Sequence, residues 1–278
     1  MSKASSFFLL VSSISSLPLI AGNITPDFHA ITTAPTQAPG VWYTDRYPPA
    51  VFAGLPSYQG VLDVLQIGVS AADQQSSRPA IYSAAFYNTQ GRKYDTSGGA
   101  GSYVEMLLYI PAAWGDPSNG FVRSDMWATM VDSSYANSGF PIIDFMNQGT
   151  GGARYRVYDN GLGSWVNLAV PVVYDAWTTF RLTFTGTSFD YSINGVAVYS
   201  DPNIGATAGF SNVMVQDYNF GSAFDTSGSV NNPAAYDYSA YWASSNQFDG
   251  PTDIPEPSPA HLLLPALFLI LIGRRNAQ

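Results

Sequence analysis

Two short stretches set arginine, aspartate and aromatic side chains at every second position. Arg123-Ser-Asp-Met-Trp-Ala-Thr-Met-Val-Asp132 alternates Arg123, Asp125, Trp127 and Thr129 with Met126, Ala128 and Met130. Arg154-Tyr-Arg-Val-Tyr158 keeps Arg154, Arg156 and Tyr158 in one phase. Successive side chains of an extended strand point to opposite faces, so each set shares a face. Sugars lay their apolar faces on aromatic rings and hydrogen-bond to Asp, Asn and Arg beside them. Arg123, Asp125, Trp127, Arg154, Arg156 and Tyr158 are therefore the candidate glycan-contacting residues. The competing reading puts Trp127 and Tyr158 in a core, since Trp is usually well buried, and leaves the arginines solvated or ion-paired.

The absent residues exclude more chemistry. The 278 residues include no Cys and two His, His29 and His261. There is no disulfide framework, thiolate nucleophile or Cys-based metal site, and almost nothing from which to build a Ser-His-Asp triad or a multi-His metal centre. Neither lysine, Lys3 or Lys93, lies in a phosphate-binding Gly-rich loop. The formal charge of −9 has the wrong sign for nucleic acid, so no nucleic-acid partner is expected. Charged residues make up 11% of the chain, against 46% hydrophobic and 14% aromatic. That composition excludes a disordered chain and a coiled coil or helical bundle.

The elements that must carry these residues are strands. From about 23 to 252 short apolar or alternating runs recur between Gly, Pro, Asn, Asp and Ser clusters. The clearest are Val61–Val69, Ser102–Ile110, Met126–Val131, Pro141–Met146, Arg154–Tyr158, Trp165–Val170, Trp177–Thr185, Phe189–Ile193, Val196–Tyr199, Val213–Tyr218 and Tyr236–Trp242. Phe180, Leu182 and Phe184 are expected to face the core, with Thr179, Arg181 and Thr183 outward. Asn194-Gly195 predicts a type I′ hairpin turn. So many strands in one unit fit two packed sheets. Glu105 alternates with Tyr103, Leu107 and Tyr109, and is read as an outward residue or one paired with an arginine across the sheet.

The ends read as addresses. Residues 1–22 carry Lys3 before a short apolar and Ser-rich run, the pattern of a secretory signal peptide; the alternative is a buried N-terminal element. Near the other end Pro255, Glu256, Pro257 and Ser258 precede an apolar run to Ile272, then Arg274 and Arg275. This tripartite tail resembles the PEP-CTERM sorting signal of Gram-negative bacteria. The resemblance implies recognition by an exosortase-type protease at the inner membrane and delivery to the cell surface or extracellular matrix. Ala260 to Ile272 departs from a comfortable span: 13 residues make roughly 20 Å of helix against a core of about 30 Å. The alternative is a short C-terminal transmembrane anchor that is never cut.

A second resemblance covers residues 42–245. Trp177 to Tyr199, closing on Ile193-Asn194-Gly195-Val196, resembles the hairpin of concanavalin A-like, LamG-type jelly rolls, and Tyr236–Trp242 is similar to their aromatic closing strand. The implied fold is all-β, a two-sheet antiparallel jelly-roll sandwich with short apolar segments at both termini. The implied ligand class is carbohydrate. Jelly-roll retaining glycosidases carry two Glu on one strand, as in E-x-D-x-x-E, and here the only Glu outside the tail is Glu105. Domains like these often bind Ca2+. Removing both ends leaves a core of net charge −11, and Asp-rich loops can hold that ion. No D-x-D-x-D-G loop is present, however, and most Asp residues read as turn caps, so calcium stays open.

The organisation expected is thus a signal peptide at 1–22, a linker at 23–41, the sandwich at 42–245, a tether at 246–253 and the sorting signal at 254–278. The expected protein is secreted, matrix-associated and non-catalytic, and binds extracellular polysaccharide. The alternatives are a purely structural matrix protein and a polysaccharide hydrolase or lyase using Asp or Tyr–Arg chemistry.

Overall fold

The computed structural model describes residues 21–148, 151–220 and 237–247. Nearly all of the expected signal segment lies outside them. So do the polar stretch Ser222–Pro233, the expected tether beyond 247, the sorting motif Pro255, Glu256, Pro257, Ser258, Arg274 and Arg275, and the expected transmembrane segment. Among the described residues no helix is long and apolar enough to cross a membrane.

Two sheets face each other, as the strand rhythm requires. The first runs β1 (Thr33–Ala34), β2 (Trp42–Thr44), β5 (Thr89–Gly98), β15 (Thr207–Tyr218), β7 (Val122–Asp132), β9 (Ile142–Asn147), β10 (Ala153–Asp159), β11 (Ser164–Asn167), with β8 (Asn137–Gly139) also on β7. The second runs β14 (Val196–Asp201), β13 (Phe189–Ile193), β12 (Ala176–Phe184), β6 (Ser102–Ile110), β16 (Tyr238–Ser244), β4 (Val61–Val69), β3 (Val51–Tyr58). Apart from the β1–β2 pair, strand pairing within the sheets is antiparallel. The architecture is an all-β, two-sheet jelly-roll sandwich of the concanavalin A-like type.

The core lies between the sheets and follows the alternation. Val122, Met126, Ala128 and Met130 of β7 meet Met106 and Leu108 of β6, Phe180 and Leu182 of β12 and Trp242 of β16 in one buried cluster. Burying side chains of this size stabilises by roughly 1.5–3 kcal/mol each. Phe180, Leu182 and Phe184 point inward, and Thr179, Arg181 and Thr183 stay partly exposed. Arg181 Nε donates to Glu105 Oε2 at 2.6 Å across the β12–β6 pair. The β13–β14 hairpin turns on Asn194 and Gly195, both in the left-handed region at φ 49° and 76°, as a type I′ turn demands.

The structure corrects several boundaries. The stretch 23–41, expected to be a linker, packs onto the sandwich: Phe28 is 1% exposed, its ring tilted against Trp42 at a centroid distance of 5.8 Å, and β1 pairs with β2. β5, which is not among the expected strands, is a ten-residue strand. Its sequence, Thr-Gln-Gly-Arg-Lys-Tyr-Asp-Thr-Ser-Gly, has too few apolar side chains to show a period. β3 escaped notice because of Pro56, which its place at the sheet edge tolerates. The polar stretch Ser70–Pro79 opens a series of short 3-10 turns: Ala71–Asp73, Gln75–Ser77, Ala80–Tyr82 and Ala85–Asn88.

Candidate functional site

The outer face of the larger sheet gathers all six candidate residues. β7 and β10 are not neighbours; β9 lies between them. Register then aligns side chains in rows across the sheet. Gln216, Asp125, Asp144 and Arg156 form one row, and Met214, Trp127, Ile142, Tyr158 and Trp165 form the next. Inserting Asp144 between the two predicted stretches converts two separate stripes into one charged cluster.

That cluster is closely paired. Arg123 Nε donates to Asp125 Oδ1 at 2.9 Å, its second terminal nitrogen lies 2.8 Å from Asp125 Oδ2, and Asp144 Oδ2 is 3.3 Å from Nε. Arg156 forms a fork with Asp144, at 3.1 Å through Nε and 2.5 Å through a terminal nitrogen. Trp127 Nε1 donates to Asp125 Oδ2 at 3.2 Å. Both aspartates are fully buried, and Arg123 and Arg156 are 8% and 6% exposed. The Trp165 ring covers both guanidinium groups, with centroid distances of 4.7 Å to Arg123 and 4.1 Å to Arg156. Cation–π contacts of this desolvated kind contribute up to about 2 kcal/mol each.

Burial and charge pull the ionisation of these groups in opposite directions. Burial pushes the Asp125 carboxyl up to about 6; Arg123 opposes that rise and the neighbouring Asp144 carboxylate adds to it. Burial works against the charge on Arg123, but Asp125 and Asp144 outweigh it and the pKa rises. Beneath the row, inside the sandwich, Ser124 Oγ donates to Asp217 Oδ1 at 2.6 Å and accepts from Trp242 Nε1 at 3.2 Å. Asp217 Oδ2 has no hydrogen-bond partner among the described residues. Burial drives this carboxyl well above the usual range, with the Ser124 hydrogen bond pulling the other way.

Above the cluster is a cavity of about 360 Å³ lined by Arg46, Thr89, Arg123, Trp127, Phe140, Ile142, Tyr158 and Trp165. Trp127 is half-buried on this outer face, not in the core. Tyr158 is half-buried as well, and its ring meets Trp165 edge-on at 5.6 Å. Arg154 is not part of the cavity lining; its side chain donates to the Gln148 and Gly152 carbonyls and to Asn167. The face carries Arg46, Lys93, Arg123, Arg154 and Arg156 against Asp45, Asp95, Asp125 and Asp144, a balance unlike that of the whole chain with its formal charge of −9. Among the described residues no group of three or more His, Cys, Asp or Glu side chains could hold a metal ion, so the open expectation of calcium gains no ligand set there.

Sequence reasoning missed Asp144, Trp165 and Arg46. Asp144 did leave a signal: it breaks the apolar run Ile142-Ile143-Asp-Phe145-Met146 in the phase of Ile142 and Met146. Trp165 shared a predicted strand but had no partner until β10 and β11 paired. Arg46, in the connection after β2, left none.

No protein-family model matches the chain, and no curated protein matches it. Solved structures do. A prokaryotic beta-1,3-1,4-glucanase (lichenase) derived from a mouse hindgut metagenome is 14% identical, with 78% of this chain and 95% of that one covered and a TM-score of 0.42. A family 7 alginate lyase is 10% identical over 71% and 81%, TM-score 0.39. A sialidase is 10% identical over 73% of this chain, TM-score 0.41, and the match spans only 16% of that chain. At these identities the likeness concerns the fold alone. It nonetheless corrects the expectation of a non-catalytic binding protein, which rested on the missing two-Glu strand motif. The structures this chain is similar to are named as glucanases, a lyase and a sialidase.

Proposed function

We propose that this protein is a polysaccharide-degrading enzyme, a hydrolase or lyase, acting in the cavity on the outer face of the larger sheet. The observation that carries the reading is the cavity itself: aromatic walls of Trp127, Tyr158 and Trp165 over a buried row in which Asp125 and Asp144 fix Arg123 and Arg156. Rings suit the apolar faces of sugars, and a rigid paired shell is what holds contacting groups in place. The two aspartates are sealed beneath Arg123 and Trp127, so they act as positioning residues. Tyr158 is the proton-transferring hydroxyl at the cavity wall, with no hydrogen-bond partner for it among the described residues. Tyrosine can serve as general acid or base when a cation lies nearby, and Arg123 lines the same cavity.

In this reading the enzyme works outside the cell. The apolar leader after Lys3 and the Pro255–Ser258 tail support export and handling by an exosortase-type protease at the inner membrane.

The experiment incubates the full-length protein with neutral and acidic polysaccharides and follows two products. New reducing ends alone mark hydrolysis, and reducing ends with an ultraviolet-absorbing unsaturated terminus mark elimination. Failure to shorten any polymer, with the protein shown to be folded, overturns the reading.

A further inference from the structure

We infer that Arg46 forms an anion subsite in the cavity, and that the polymer it selects carries acidic sugars, with a carboxylate or sulfate ester on the residue seated against Trp127. This deepens, and rests on, the reading of the cavity as a polysaccharide site.

Arg46 differs from the other cavity arginines. Arg123 and Arg156 spend their donors on buried aspartates, but Arg46 has only Asp45, at 3.3 Å from its Nε. That carboxylate is shared: Lys93 Nζ lies 2.7 Å from one oxygen, and Gln216 Nε2 donates to the other at 2.9 Å. The terminal nitrogens of Arg46 have no hydrogen-bond partner among the described residues. The guanidinium is nevertheless fixed in place. It lies 4.4 Å from the Phe86 ring centroid and 5.0 Å from that of Trp127, and the Trp127 ring is itself tied to Asp125. The side chain is 18% exposed and lines the cavity.

A planar guanidinium held between rings keeps its edge free for two parallel hydrogen bonds, the geometry that suits an anionic oxygen group. It is also incompletely compensated. Burial lowers the Arg46 pKa and nearby Arg123 lowers it further, against the opposing pull of Asp45. A bound anion would relieve both effects. Neutral sugar hydroxyls would relieve neither.

The test measures affinity of the full-length protein for a polyuronate, a sulfated galactan and a neutral β-glucan, comparing wild type with Arg46→Gln and Arg46→Lys. Arg181→Gln, on the opposite sheet, is the control. Arg46→Gln is expected to weaken binding of at least one acidic polymer by about tenfold or more while leaving the neutral glucan within about twofold; Lys restores only part, because a point charge cannot make the fork. Whether the polyuronate or the galactan responds identifies carboxylate or sulfate. Equal losses on acidic and neutral polymers, or none, overturn the subsite. Competition of wild-type binding by free glucuronate or glucose 6-sulfate, but not glucose, supplies an arm that needs no variant to fold, and equal competition by glucose overturns it too. Cleavage is scored separately. Acidic polymer bound through Arg46 but never cut sinks the enzyme reading alone, and a neutral polymer cut with no response to Arg46 sinks the subsite alone.

Discussion

At the residue scale the site depends on charges that are buried only because they are paired. Removing one partner of such a pair leaves a buried charge uncompensated, at a cost of about 3–5 kcal/mol. Arg156→Leu strips Asp144 of its fork and leaves it the 3.3 Å contact to Arg123. The expected loss is about 3 kcal/mol, read from urea unfolding. Tyr158→Phe removes the accessible hydroxyl and keeps the ring. It should lower turnover by about 10²–10⁴ with little change in substrate affinity; an unaltered rate would remove Tyr158 from the chemistry. Asp217 gives a pH prediction. Its carboxyl stays protonated in the folded protein well above the range where the unfolded chain ionises, near pH 4. Stability is therefore fully present at low pH and falls as pH rises above about 4. Asp125, pushed up to about 6, acts in the same direction. Asp217→Asn should show a smaller fall in urea midpoint between about pH 5 and pH 8 than the wild type.

At the element scale the support of Asp45, and through it of Arg46, depends on how closely β5 and β15 approach. A Cβ on Gly91 would meet the Val215 carbonyl oxygen and come 2.8 Å from Gln216 Cα, contacts with backbone that cannot swing aside. Gly91 is opposite Gln216, the residue that tethers Asp45. Gly91→Ala is therefore expected to destabilise by about 1–3 kcal/mol and to weaken glycan binding at the same time. A stable variant with normal binding, measured by thermal unfolding and affinity electrophoresis, would show that the strands can part without disturbing the site.

At the scale of the whole molecule the sandwich positions its site on one sheet and uses the other as support. Trp242 of the smaller sheet reaches through the core to Ser124, directly behind the β7 row. Residues 23–41 complete the body: Phe28 packs on Trp42, and Thr25 Oγ1 accepts from the Glu105 backbone N–H at 2.7 Å. The termini carry the remaining prediction. Mass spectrometry of protein recovered from outside a host with an exosortase-type protease should find an N-terminus near 22 and loss of the segment after the Pro255–Ser258 motif. An intact C-terminus on exported protein would support an uncut anchor.

Alternation in the sequence determined which side chains of β7, β10 and β12 share a face, because strand pleating permits no other phase. Asn194-Gly195 determined a turn, because few other pairs adopt positive φ twice in succession. The Glu105–Arg181 pair was legible for the same reason, each residue being the outward charge in its own strand. Which strands lie side by side was not legible, since pairing joins segments far apart in the chain. Only the tertiary structure put Asp144 between Asp125 and Arg156, laid Trp165 over two guanidinium groups, and brought Arg46 from a loop without periodicity to the face of Trp127. It also decided that Trp127 serves a cavity wall: an aromatic residue in phase with Arg123 and Asp125 goes wherever its strand's polar face goes, and register with β9 and β15 turned that face outward.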